Sequence, residues 1–257
     1  MSNTFTVEYF EAYLFVLARI SGFIFTAPMF NLRNVPVKVK SIFSVLLAFV
    51  VFTTLEYEAP NYSGTIGLTA VIITEVVAGI ILGFVANICV MILAFAGNLA
   101  DMEIGFAMSQ SMNNVNNIST TVTGDYYTYV VMLVMLVSDM HLYVIKAIVE
   151  SFSIINIGKV NIAVDFYVVL LKFLVDYFII AFRIILPIFA AMLLTNAVLA
   201  ILAKAAPQMN MFVVGLQMKV VIGLAVLVVT AATIGNVSNF IFEEMKEMIK
   251  TAIYYLK

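Results

Sequence analysis

The sequence predicts an all-α, polytopic membrane protein made of helical hairpins, with kinked and interrupted helices. Three observations carry this expectation. Of the 257 residues, 64% are hydrophobic and 11% are charged; a water-soluble domain of this size does not need so much apolar surface. The apolar residues gather into long runs, of which 193–203 and 220–234 hold no charge at all. Short polar, charged or proline-containing stretches separate the runs, as connections between membrane helices would.

The elements follow in chain order. Residues 10–30 form the first apolar segment, with Arg19 in mid-span and Pro28 near its end. Residues 1–8 carry no positive leader region and Arg19 interrupts the run, so this segment is expected to persist rather than be cleaved as a signal. A basic loop with Arg33, Lys38 and Lys40 around Pro36 comes next; the bias of basic loops toward the cytoplasm puts it inside and the N-terminus outside. Residues 41–55 form the second segment, and Glu56, Glu58 and Pro60 an acidic turn. The stretch 66–100 is apolar except for Glu75. At about 1.5 Å per residue it is too long for one upright span, so it is either tilted or part of a hairpin.

Residues 101–125 are rich in Asn, Ser, Thr and Met and read as a loop with helical edges. An apolar helix resumes over 126–138 and continues to 152, before a turn at 156–159. A long helix over 166–202 contains Lys172, Asp176, Arg183 and Pro187. After the break at Pro207, a helix runs from 212 to about 234. Residues 238–257 are amphipathic, with Glu243, Glu244, Lys246, Glu247 and Lys250 beside Ile241, Phe242, Met245, Met248 and Ile249. That pattern suits a helix lying on a surface or a partner. No repeat, low-complexity tract or soluble linker divides the chain, so residues 1–257 are expected to be one domain.

Composition excludes several function classes. A net charge of −2 gives no reason to expect nucleic acid. Cys89 is the single cysteine and His141 the single histidine, which argues against a disulfide framework, a metal cluster and histidine-based catalysis. The sequence has no H-E-x-x-H, phosphate loop or Gly-rich dinucleotide turn. No enzyme, cofactor or metal is expected.

Several intramembrane residues demand compensation. Glu75, Gly79, Gly83 and Asn87 recur every four residues on one helix face, and the two glycines let another backbone approach closely. Glu75 is then either a carboxylate on an ordinary packing face or the partner of an intramembrane cation such as Arg19 or Arg183. Arg19 costs about 2.5–3.5 kcal/mol in hydrocarbon, which favours a structural ion pair or carbonyl contacts. Lys172, Asp176 and Arg183 share a face, and Pro187 cannot donate to the Arg183 carbonyl, so a kink is expected there. Gly215, Lys219 and Gly223 repeat the four-residue pattern; close packing on that face would bury the lysine, which then needs a carboxylate or carbonyl partner.

These features occur in strings that resemble, in order, the flagellar export-gate family FliR, whose injectisome counterpart is SctT. Arg19-Ile20-Ser21-Gly22 with Ala27-Pro28-Met29-Phe30 resembles the family's N-terminal segment, and Pro36-Val37-Lys38-Val39-Lys40 its basic loop. The run from Glu75 through Gly79 to Gly83 is similar to its Glu-x-x-x-Gly-x-x-x-Gly segment. Ala96-Gly97-Asn98-Leu99-Ala100-Asp101-Met102-Glu103-Ile104-Gly105-Phe106-Ala107 resembles a further family stretch, with Glu103 in place of an expected glutamine. Arg183 to Pro187, and Pro207-Gln208-Met209-Asn210 with Phe212, Gly215 and Lys219, complete the series.

The resemblance implies a core component of the flagellar type III export gate in the bacterial inner membrane, at the centre of the basal body. It implies assembly with FliP- and FliQ-like subunits, with FlhB- and FlhA-like proteins nearby, and unfolded flagellar subunits as cargo. It implies no bond-making chemistry. Under it, Phe106, Met108, Met112, Asn113, Asn114, Asn116 and Asn117 belong to a gating plug. Arg19, Glu75, Asp101, Glu103, Asp176, Arg183 and Lys219 become buried assembly charges. Gly79, Gly83, Pro207, Gln208, Met209, Asn210, Phe212, Gly215 and Gly223 become subunit-packing positions. An injectisome gate and a secondary transporter, which also uses midplane charges and proline-broken helices, stay open as alternatives.

Overall fold

The computed structural model describes residues 7–32, 35–55, 62, 64–106 and 121–257. Among them are eight helices and no strand: α1 (Val7–Thr26), α2 (Val37–Thr54), α3 (Gly64–Ile104), α4 (Val122–Val137), α5 (Met140–Ile154), α6 (Phe166–Ala205), α7 (Met211–Ala231) and α8 (Ile234–Tyr255). Five of these, α1, α2, α3, α6 and α7, are long and apolar enough to cross a membrane. The chain is an all-α polytopic membrane protein.

Some boundaries depart from expectation. The stretch expected to be tilted or part of a hairpin is one unbroken helix, the 41-residue α3. It runs past residue 100 and stops at Gly105, whose φ of 97° is the left-handed backbone that ends helices without a Cβ penalty. The helix expected over 126–152 is broken at Ser138–Asp139, where Asp139 takes a φ of 56°; a short polar side chain tolerates that conformation. α6 continues unbroken through Pro187 and spans 40 residues. Pro187 still withholds an N–H from the Arg183 carbonyl.

The chain divides into two compact units. The first comprises Met1–Cys89, Ser138–Phe173 and Phe242–Lys257, the second Val90–Val137 and Leu174–Ile241. In the first unit, α2 lies against α1: Phe52 meets the Tyr9 and Tyr13 rings edge-on at 4.7 and 5.8 Å, and the Tyr13 hydroxyl donates to the Val45 carbonyl. The Tyr62 hydroxyl bonds the Glu11 carboxylate. The amphipathic C-terminal helix is not left on an outer surface for lipid or a partner. Phe242, Met245, Met248, Ile249, Ala252 and Leu256 are buried within the chain, and Met248 Sδ sits 3.6 Å from Cys89 Sγ. Backbone bonds from Asn161 and Ala163 to the carbonyls of Leu256 and Tyr255 fasten its end. Burying that stripe in its own unit removes from solvent the surface that made the helix look like a membrane or partner face.

In the second unit, Ala100 and Ile104 of α3 pack with Ile185, Ile188 and Met192 of α6. A smaller cluster joins Ile92 and Ala96 to Ile180 and Ala181. Much of α6 and α7 stays uncovered, with exposed apolar side chains such as Phe182, Leu186, Leu194, Val221, Val228 and Val229, so that surface awaits lipid or protein.

Candidate functional site

Three glycines set the geometry around Arg19. A Cβ on Gly79 would overlap the Arg19 carbonyl oxygen, one on Gly83 would overlap Thr26 Oγ1, and one on Gly22 would press on the Val76 carbonyl oxygen at 2.5 Å. Without side chains at these points, the α1 and α3 backbones touch. That approach carries Arg19 to Glu75. Arg19 Nε donates to Glu75 Oε2 at 2.6 Å and Nη2 to Oε1 at 3.2 Å. Nη1 donates to the carbonyls of Ser151 and Ile155 at 3.2 and 3.1 Å, and to Ser151 Oγ at 3.4 Å.

The Gly158 N–H donates to Glu75 Oε1 at 2.8 Å, and the guanidinium lies 4.2 Å from the centre of the Phe152 ring. Both charged side chains are completely buried. A two-pronged pair whose remaining donors meet carbonyls is the arrangement in which attraction offsets desolvation. It ties α1, α3 and α5 together.

A second buried carboxylate works differently. Asp101, in the last turn of α3, accepts from the Thr123 N–H at 3.1 Å and from the Thr123 hydroxyl. Thr123 lies in the first turn of α4, so Asp101 supplies from another helix the acceptor that an N-cap residue normally provides, next to the positive end of the helix dipole. Gly97 permits this closeness, since a Cβ there would overlap the Gly124 backbone.

Four other candidate charges have no partner among the described residues: Glu103, Asp176, Arg183 and Lys219 make no ion pair or hydrogen bond. All belong to the second unit. Glu103 is half-buried beside a groove of about 420 Å³ walled by Met102, Phe182, Leu186 and Phe189. Arg183 is exposed at the edge of a cavity of about 190 Å³ bordered by Tyr127, Pro187, Thr230 and Thr233. Asp176 and Lys219 are half-buried. Lys172 is exposed, and the shared face it forms with Asp176 and Arg183 contains no ion pair.

The remaining predicted positions separate in the same way. Arg19, Glu75, Gly79 and Gly83, expected at subunit contacts, are engaged inside the chain because α1 supplies the close backbone and the counter-charge. Gly223 is likewise used internally, against Ile104, and Gly215 faces Leu199. Pro207, Gln208 and Met209 are exposed. Asn210 caps α7, its Oδ1 accepting from the N–H groups of Phe212 and Val213 at 3.2 and 3.4 Å, while the Phe212 ring is exposed. Phe106 packs against the α3–α6 cluster. Met108, Met112, Asn113, Asn114, Asn116 and Asn117 lie outside the described residues.

Sequence reading did not find Ser151, Phe152, Ile155 and Gly158 around the ion pair, nor Thr123 on Asp101. Carbonyls and backbone N–H groups leave no mark in residue identity. Thr123 alone offered a signal, as a capping-type residue at the start of an apolar helix.

Residues 10–245 match the family described as bacterial export proteins, family 1. The flagellar biosynthetic protein FliR of Bacillus subtilis (strain 168) is 28% identical over 250 residues, covering 95% of this chain and 96% of its own. The protein of the same name from Escherichia coli (strain K12) is 23% identical over 248 residues, covering 96% of this chain and 94% of its own. That of Aquifex aeolicus (strain VF5) is 24% identical over 260 residues, covering all of this chain and 99% of its own.

Proposed function

The chain belongs to the bacterial export proteins, family 1, and from that membership we propose that it is a core subunit of the flagellar type III export gate. It sits in the inner membrane at the centre of the basal body and joins FliP- and FliQ-like subunits, with FlhB- and FlhA-like proteins as neighbours. Unfolded flagellar subunits cross the channel the assembly encloses. The chain performs no bond-making chemistry; the energy for export comes from elsewhere in the apparatus. In this reading residues 106–117 act as the seal of the resting channel, their Met and Asn content suiting a compliant, reversible contact.

The observation that carries the proposal is the near end-to-end match to relatives named for flagellar biosynthesis. Two physical features support it. α6 is 40 residues long, about 60 Å, twice the roughly 30 Å of bilayer hydrocarbon. It exposes apolar side chains from Tyr167 to Leu202, more than lipid alone would cover. The unmatched charges of the second unit lie on or beside these apolar helices, where a neighbouring chain can neutralise them.

Co-expression with the genes beside this one, followed by the mass and composition of what co-purifies, tests the proposal. A complex containing FliP- and FliQ-like chains is the expected result. A solitary chain that moves a small solute across liposomes would support a secondary transporter instead.

A further inference from the structure

Arg183 is the eighteenth of the 40 residues of α6. At about 1.5 Å per residue it lies roughly 26 Å from one end of that helix and 33 Å from the other. The apolar neighbours Ile179, Phe182 and Leu186 are all exposed, so a full positive charge stands on an otherwise greasy surface. Inside the chain, by contrast, Arg19 shows how this protein treats an intramembrane guanidinium: two carboxylate oxygens and two carbonyls meet it. Arg183 has none of these among the described residues. Asp176, the acid two turns earlier, makes no ion pair with it.

Beside it is the cavity of about 190 Å³. Two of its bordering hydroxyls have their protons committed, Thr230 to the Leu227 carbonyl at 3.1 Å and Thr233 to the Thr230 carbonyl at 2.7 Å. The full positive charge that attracts an anion is that of Arg183, a planar fork that matches a carboxylate with two parallel bonds. Among the described residues no second cation borders the cavity, whereas pockets for anionic lipid headgroups are built from clusters of basic residues.

We propose that the Arg183 cavity receives the carboxylate of an Asp or Glu side chain projected by a neighbouring subunit. This rests on the reading that the chain works within a hetero-oligomeric gate, and it assigns to that assembly one charged contact with a defined sign. Because an unpaired arginine on an apolar helix is expensive, the contact also provides a reason for the chain to assemble.

The test uses the complete complex, co-expressed with its neighbours and purified from membranes. A photo-reactive benzoylphenylalanine replaces Val237, an apolar residue bordering the same cavity, and the crosslinked peptide is sequenced. The expected crosslink falls on a neighbouring chain, within one helical turn of an Asp or Glu. Arg183→Leu is expected to lower the yield of complex at least tenfold, with Arg183→Lys in between. Arg183→Glu should abolish assembly, and changing the crosslinked acid to Arg should restore it.

A crosslink to lipid alone, or to a peptide without an acid, overturns the proposal, as does normal assembly of Arg183→Leu. Should Arg183→Leu fail to accumulate even as a solitary chain, the crosslink and the charge exchange still decide. A wild-type chain that co-purifies with nothing would refute the gate reading itself, a result distinct from a complex whose crosslink misses an acid.

Discussion

Arg19 and Glu75 are 56 residues apart in the chain and 2.6 Å apart in the fold, with no solvent-accessible side-chain surface on either. The pair exists because Gly79, one turn beyond Glu75, lets the Arg19 backbone rest directly on α3. Charge and glycine are thus one device, and the first three predictions follow from devices of this kind.

Removing either charge should be worse than removing both. Arg19→Leu or Glu75→Leu strands the other ion in the interior and is expected to cost about 3–5 kcal/mol. The double variant should recover a large part of that loss, since an apolar pair needs no compensation. Unfolding in detergent for the two single variants and the double variant gives the coupling energy. Additive losses would mean that the residues do not act as a pair.

Glycine substitutions should differ by location. Gly79→Ala forces a methyl into the Arg19 carbonyl, a backbone atom that cannot turn aside, and should cost about 1–3 kcal/mol through strain. At Gly215 the added carbon would meet only the tip of Leu199 at 3.4 Å. Gly215→Ala in the isolated chain should be neutral or stabilising by up to about 1 kcal/mol, from helix propensity. Melting temperatures of the two variants check the contrast.

Asp101→Ala should loosen the start of α4. The Thr123 N–H loses its acceptor, and a lost cap costs about 0.5–2 kcal/mol. Hydrogen exchange at residues 122–125 should accelerate while α1 and α5 keep their protection. Uniform acceleration through the whole chain would show that Asp101 holds more than the helix end.

The C-terminal helix should behave as core rather than as a membrane anchor. Met248→Ala, beneath Cys89, is expected to cost about 2–5 kcal/mol. Glu247→Lys on the exposed face should stay within about 0.5 kcal/mol. Deleting residues 242–257 should unfold the first unit, as read by protease sensitivity of α1 and α5 in membranes. Survival of that unit would return the helix to a peripheral role.

A shortened seal should leak. Removing part of 106–117 is expected to leave the complex intact while raising ion conductance in reconstituted vesicles. An unchanged conductance would count against the sealing role.

Much of the architecture was legible because apolar runs in a membrane chain report their helices directly. The Arg19–Glu75 contact was within reach too, since an intramembrane carboxylate and guanidinium have few ways to be satisfied. Arg183 was equally plausible from charge alone; only the glycine approach of α1 to α3 decides for Arg19. The break at Asp139 was not legible, because one left-handed residue between two apolar runs leaves the periodicity on both sides intact. What covers the apolar stripe of the C-terminal helix was not legible for a related reason. An apolar stripe states that something covers it, and names neither lipid, partner nor the chain itself. Asp101 was readable as a buried charge but not as a cap, since its acceptor role depends on a backbone N–H 22 positions away.

The wide spacing of the Arg19 contacts has a consequence in time. Ile155, whose carbonyl completes the set, follows Arg19 by 136 residues. At synthesis rates of about 5–20 residues per second, roughly 7–27 s pass between the making of the arginine and of its last acceptor. Until Glu75, 56 residues on, has been made, α1 is a transmembrane segment with an unanswered charge, and for the rest of the interval its guanidinium still lacks the carbonyl acceptors of α5. It must wait at the ribosome's exit, in the insertion machinery or at the lipid headgroups, and it becomes a settled helix only when α5 arrives.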